Sequence, residues 1–217
     1  MSSTLRILPL AVLLLGACTP QAGPAASATP AGTVAPPAQA PADAFLAAIA
    51  GHCGHAYAGR IVADVPAASG PDPFAGKALV AHVRGCEAPK REIRIPFHVG
   101  EDRSRTWVLS RTAAGLRLKH DHRHRDGAPD AVTMYGGDSV EAGSARRQAF
   151  PVDAESVAMF RREGLAASVA NTWAMEIEPG RRLVYELSRP DGRLFRVEFD
   201  LAAPLPRPPP PWGAQDG

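Results

Sequence analysis

The sequence predicts a mainly β fold, an antiparallel meander of about nine or ten strands closed into a barrel or folded into a sandwich. Three observations carry this. Apolar residues recur with a period of two along much of the chain, short turn sequences separate those runs, and no long helical crossover lies between them.

The elements follow in order. Residues 43–50 open as a helix, with Phe45, Leu46 and Ile49 at helical spacing. Ile61, Ala63 and Val65 then alternate with Arg60, Val62 and Asp64. The pattern returns at Leu79, Ala81 and Val83, and at Ile93, Ile95, Phe97 and Val99, where Glu92, Arg94 and His98 take the other face. Trp107 with Leu109, Leu116 with Leu118, and a short run over residues 131–135 continue it. Three clean strands close the series, through Trp173-Met175-Ile177, Leu183-Tyr185-Leu187 and Phe195-Val197-Phe199-Leu201. Glu176, Glu178, Glu186 and Glu198 fall on the outward faces, where solvent is their expected surrounding. Turn chemistry stands between the runs, as in Asp126-Gly127-Ala128-Pro129 and Pro190-Asp191-Gly192, and Tyr135-Gly136-Gly137-Asp138-Ser139 reads as a strand-end turn. One helix is inserted near 154–163: Asp153 is an N-cap, Val157 and Phe160 share a face, and Gly164 ends it.

Domain organisation is set by the two ends. Arg6 precedes an apolar run at residues 7–15 that has the length of an export signal and not of a membrane span. Leu15-Gly16-Ala17-Cys18 follows directly. This resembles the lipobox of bacterial lipoproteins, which implies cleavage after Ala17, a diacylglycerol thioether on Cys18 and acylation of the new amino terminus. The expected address is the cell envelope, and Thr19 after the cysteine favours the outer membrane, with the domain facing the periplasm. Residues 1–17 are thus a signal peptide, and 18–42 are a lipidated cysteine and a Pro/Ala-rich flexible tether without a charge. Residues 43–203 are the β domain, and 204–217 are a Pro-rich disordered tail. The β domain has about 160 residues, enough for a real core. Its rhythm of strands and turns resembles lipocalin-like and fatty-acid-binding-protein-like barrels in architecture alone.

Net charge is +2 for the whole chain. No strong field is available to hold nucleic acid, so a nucleic-acid partner is disfavoured. Lipid at Cys18 leaves Cys53 and Cys86, an even pair in an oxidising compartment, which reads as a disulfide contributing ~3 kcal/mol by loop closure.

The unusual local sequence is Leu116-Arg117-Leu118-Lys119-His120-Asp121-His122-Arg123-His124-Arg125. On a strand, period two sets His120, His122 and His124 on the face of Leu116 and Leu118, with Lys119 and Asp121 toward water. Three readings stay open. The histidines line a solvated mouth; or a His-x-His pair among His120, His122 and His124 holds zinc or copper with a third ligand such as Asp126 or Asp130; or they form the polar end of a cavity. In the last, Trp107, His120, His122, Trp173 and Tyr185 are the ligand-binding residues, and a small apolar or amphipathic molecule bearing a carboxylate or phosphate is the ligand. A two-residue turn at Ala113-Ala114 would pair Trp107 with His120 and Arg105 with His122. Hydrolase and phosphate-loop motifs (Gly-x-Ser-x-Gly, His-Glu-x-x-His, a glycine-rich loop) are absent, and no thiol is left over as a nucleophile. The expected role is non-catalytic: binding such a ligand or contacting another envelope protein, with a metal-dependent hydrolase on the histidine cluster as the rival.

Overall fold

The computed structural model describes residues 40–67 and 72–214. The expected signal segment, Cys18 and nearly all of the tether lie outside the described residues, as do residues 215–217.

The mainly β expectation holds. Ten strands form one antiparallel sheet: β1 (Ala56–Val65), β2 (Leu79–His82), β3 (Glu92–Val99), β4 (Asp102–Arg111), β5 (Leu116–His122), β6 (Tyr135–Asp138), β7 (Arg147–Pro151), β8 (Thr172–Glu178), β9 (Arg182–Ser188) and β10 (Leu194–Leu205). Their order is β6-β5-β4-β3-β2-β1-β10-β9-β8-β7. This is the order of a ring of consecutive strands with one unpaired junction, between β6 and β7. The result is a nearly closed barrel. Alternate residues turn inward as the sequence pattern requires, and Ile95, Leu109, Leu118, Met175, Val197 and Phe199 are buried in its core.

Two helices complete it. α1 (Pro41–Ala50) buries Phe45, Leu46 and Ile49 and touches β3, β4, β7 and β8. Asp43 pairs with Arg111 at the end of β4 (2.5 Å). Cys53, just beyond α1, is bonded to Cys86, just beyond β2, as the cysteine arithmetic predicts. α2 (Ala154–Arg162) is the inserted helix, and the Asp153 carboxylate caps it by accepting from Ser156 N–H (2.8 Å). Gly164, at φ 72°, follows it where the chain must turn left-handed.

α2 also finishes the seam. Gly136 N–H donates to Ser156 Oγ (2.8 Å), and Asp153 N–H donates to Gly136 O (2.9 Å). A side chain and a cap residue thus take the hydrogen bonds that a neighbouring strand would supply. At Gly137 the approach is tighter: a Cβ there would lie 1.7 Å from the Pro151 carbonyl oxygen.

These contacts explain where the sequence reading departs from the structure. β6 is the Tyr135-Gly136-Gly137-Asp138 segment expected to be a turn, and not residues 131–135. Its glycines are strand residues, and a Cβ at Gly136 would lie 1.9 Å from the Leu118 carbonyl oxygen of β5 as one at Gly137 would meet Pro151. β7 gave no strand signal, because its inward positions are Gln148 and Phe150. Gln148 is buried with its amide nitrogen donating to the Ser144 carbonyl (2.8 Å), a polar residue at an inward position that alternation of apolar residues does not signal.

Three surface expectations are also corrected. Lys119 and Asp121 point out of the barrel yet are buried. Lys119 Nζ reaches Asp153 (2.8 Å) and Glu155 (3.3 Å) of the capped helix, while Asp121 accepts from Arg123 (2.7 Å). Glu186 is likewise covered, bridged by Arg147 (2.9 Å) and Arg196 (3.6 Å). Residues 204–214 are not a loose tail. β10 runs on to Leu205, and the proline tract then lies across the outside of the barrel as a strap. Arg103 Nη1 donates to Pro210 O (2.9 Å), Trp212 N–H donates to Arg103 O (3.0 Å), and the Arg125 guanidinium sits 5.7 Å over the Trp212 ring.

Candidate ligand-binding site

Period two on β4, β5 and β9 turns Trp107, His120 and Tyr185 into the barrel. The β4–β5 register sets Trp107 opposite His120 and Arg105 opposite His122, as the turn at Ala113-Ala114 predicts. Thr112 N–H donates to Gly115 O (2.9 Å) to close that turn.

The rings stack across the barrel. Phe97 and Trp107 have centroids 5.0 Å apart, Trp107 and Tyr185 4.4 Å, both pairs close to parallel. His120 lies 4.7 Å from the Tyr135 ring and 5.0 Å from Trp173.

The polar groups among these rings are mutually satisfied. His120 is 3% exposed. Its Nδ1 is 3.1 Å from the Tyr135 carbonyl, which can only accept, so Nδ1 carries the proton in the neutral ring. Nε2 is then the acceptor, and Tyr185 Oη–H donates to it (2.8 Å). Burial presses the His120 pKa down to about 3 and outweighs the Tyr135 carbonyl, which favours the charged form. Burial likewise pushes Tyr135 up to about 12 and Tyr185 well above its usual value. The His122 pKa is lowered by burial and then by the Arg105 charge, and its Nε2 is 3.2 Å from Tyr135 Oη. The pocket therefore presents neutral imidazoles and phenols at neutral pH.

Its positive charge comes from elsewhere. A cavity of about 230 Å³ opens here, walled by Phe97, Trp107, Tyr185 and Phe195 and lined also by Arg105, Arg189 and Arg193. Arg105 bonds to Asp102 (2.6 Å), and Arg193 to Asp64 and the Pro66 carbonyl. Arg189 is different, since its Nε donates to the neutral Asn171 Oδ1 (2.7 Å) and no carboxylate pairs with it among the described residues. The expected ligand-binding residues Trp107, His120, His122 and Tyr185 all line this cavity. Trp173 supports it from behind His120 and is 1% exposed.

The three histidines do not meet at one point. β5 ends at His122, and His124 enters a tight turn in which Gly127 N–H donates to the His124 carbonyl (2.9 Å). His124 is exposed and faces Asp130 at 3.6 Å. Asp126 and Asp130 accept from the backbone amides of Ala128 (2.9 Å) and Val132 (2.8 Å), so both carboxylates shape the loop. Both nitrogens of His120 are occupied. Among the described residues no group of three His, Cys, Asp or Glu side chains is placed to hold a metal ion, and the zinc reading of His120, His122 and His124 is corrected accordingly.

Sequence reasoning missed Tyr135, Arg189, Arg193 and Phe74. The arginines bracket the Pro190-Asp191-Gly192 turn, so an Arg-Pro-Asp-Gly-Arg hairpin tip was a visible cationic signal. Phe74 lies in the loop between β1 and β2 and has no periodic neighbours. Comparison with protein-family models, with curated proteins and with solved structures gave no match.

Proposed function

We propose that this chain is a lipid-anchored envelope protein whose barrel binds a small amphipathic molecule with an anionic end, without transforming it. The observation that carries the reading is one cavity joining stacked aromatic walls to three half-buried guanidiniums. Apolar walls supply affinity by area, and guanidinium forks select a carboxylate or phosphate. At about 230 Å³ the cavity falls below the ~300–1,000 Å³ of pockets for drug-sized ligands. It takes a single ring or the end of a chain, the remainder lying outside.

The histidines have a different part from the one first expected. His120 is uncharged, and its acceptor nitrogen holds the Tyr185 hydroxyl in place. Anion capture rests on arginine and stays level through pH 6–8.

Two measurements test this. Native mass spectrometry and solvent extraction of protein purified from cells should reveal a bound anionic amphiphile, whose retention falls in Arg189→Gln. Protein that never carries a ligand, and that takes up no medium-chain carboxylate or alkyl phosphate by calorimetry, overturns the binding reading. Independently, Cys18→Ser should move the chain from the membrane to the soluble fraction; continued membrane partitioning overturns the anchor.

A further inference from the structure

A second cleft lies on the outside of the barrel, where the C-terminal strap crosses β2. Its volume is about 400 Å³, and it is lined by His82, Arg84, Cys86, Glu87, Arg207 and Pro208. Inward-facing Ala81 and Val83 flank His82, so period two turns the imidazole away from the core and under the strap. It is 2% exposed, yet neither ring nitrogen has a hydrogen-bond partner among the described residues.

A neutral imidazole always carries one N–H, and a buried donor with no acceptor destabilises the fold. The neighbours deepen the imbalance. Arg84 leaves the end of β2, Arg207 descends from the strap, and no ion pair engages either among the described residues. Burial first, and then the charges of Arg84, Arg207 and His98, hold the His82 pKa at about 4. Glu87 is the one carboxylate in the lining, and it is exposed and pairs with neither arginine.

We propose that this cleft is an anion site for a phosphate group, held by the Arg84 and Arg207 guanidiniums and the His82 N–H. The donors come from two sides, barrel and strap, and a tetrahedral phosphate offers oxygens in several directions where a carboxylate offers two in one plane. Bound phosphate would satisfy the buried imidazole and relieve the repulsion between Arg84 and Arg207. It would also clamp the strap to β2. The site is separate from the barrel cavity, which shares no lining residue with it.

The test uses the purified full-length chain carrying Cys18→Ser, so that no acyl anchor contributes to vesicle binding, and inorganic phosphate, followed by calorimetry and by the thermal midpoint. Phosphate should bind and raise the midpoint. Arg207→Gln and Arg84→Gln should each weaken binding about tenfold, while Arg161→Gln, which removes a charge on α2, leaves it unchanged. The His82 ring should shift in NMR spectra on phosphate addition, and Arg207→Gln should need about tenfold more phosphate for the same shift. Equal weakening in all three variants means diffuse charge attraction and overturns the site, as does a silent His82. Two further arms separate the sources of phosphate. Glycerol 3-phosphate binding without enrichment on phosphatidylglycerol vesicles identifies a soluble phosphomonoester. Vesicle binding that inorganic phosphate displaces, and that phosphatidylcholine vesicles do not reproduce, identifies a lipid headgroup. If neither phosphate, glycerol 3-phosphate nor vesicles bind, the proposal is wrong.

Discussion

At one end of the barrel α1 presses Phe45, Leu46 and Ile49 between the strands, and the Cys53–Cys86 bond staples the segment behind it to the loop after β2. At the other end the loop between β1 and β2 brings Phe74 onto the Phe195 ring (5.0 Å). Phe97, Trp107 and Tyr185 stack on one another, and Arg105, Arg189 and Arg193 line the space above them. β4 runs between the two, from Arg105 at the cavity to Arg111, which grips Asp43 of α1. Apolar side chains fill the sealed end, and the buried imidazole just behind α1, His52, is engaged by the Tyr57 hydroxyl (2.7 Å). The open end keeps hydroxyls, imidazoles and guanidiniums whose bonding capacity is only partly used. Stability is concentrated at one end and binding capacity at the other.

The largest expected effect comes from breaking the sealed end. Phe45 is fully buried, and Phe45→Ala should destabilise the domain by about 3–5 kcal/mol, read as a drop in the urea midpoint. Occupancy of the cavity in the protein that remains folded should not change. A loss below about 1 kcal/mol, or a folded variant with altered ligand retention, would mean the ends are not independent. Next comes the staple. The Cys53→Ser/Cys86→Ser double variant should lose about 3 kcal/mol, because the unfolded chain regains the freedom that the bridge removes. Reductant should lower the wild-type midpoint by the same amount and leave the double variant unaffected.

The two ends also differ in how far the sequence exposes them. The sealed end is plain in the sequence: Phe45, Leu46 and Ile49 repeat at helical spacing, and an even cysteine pair has one partner each. The walls of the open end are equally plain, since alternation alone turns Trp107, Tyr185 and Phe195 inward and a short hairpin fixes the 107–120 register. What alternation cannot carry is anything decided by a second layer. Lys119 reads as solvated until α2 covers it with Asp153. His82, on the face opposite Ala81 and Val83, is buried because the strap lies over it. Gly136 and Gly137 read as a turn because a strand that must admit a helix cap and a carbonyl has no side chains to show a period. The zinc reading of His120, His122 and His124 failed for a related reason. The spacing was right for two ligands, but hydrogen bonds from Tyr185 and to the Tyr135 carbonyl had already taken both nitrogens of His120.

Acid acts on the open end and the strap through buried histidines, and on the segment behind α1 through His52, whose pKa burial also lowers. His82 and His98 are held near 4 and His120 near 3, chiefly by burial, against an ordinary value of 6.5. The unfolded chain takes up these protons first, so the associated stability is complete above pH 6.5 and is lost as pH falls from there toward 4. Each such histidine can contribute a slope of up to about 1.4 kcal/mol per pH unit. Urea midpoints should therefore fall steadily between pH 6.5 and 4.5, before the carboxylates of Asp102 and Asp153, whose pKa values are lowered in the fold, begin to protonate. In His82→Gln/His98→Gln the slope should be shallower. An unchanged slope would move the acid sensitivity away from the strap.

The smallest expected effect on stability is at the rim of the cavity. Arg189 is half-buried, with one side-chain hydrogen bond, to Asn171. Arg189→Gln should cost about 1 kcal/mol of folding stability, because the buried Asn171 Oδ1 loses its donor. Its effect on ligand retention should be far larger. A hydrogen bond to a charged group contributes about 1.5–3 kcal/mol, and Arg189 is the lining arginine without a carboxylate partner among the described residues, so losing it should weaken anion binding about tenfold or more. Arg105 and Arg193 already spend bonding capacity on Asp102 and Asp64, so Arg105→Gln should weaken binding less while costing more stability. That ordering separates recognition from structure within one cavity wall. If Arg105→Gln and Arg189→Gln affect binding equally, the free guanidinium is not what selects the ligand, and the aromatic walls alone hold it.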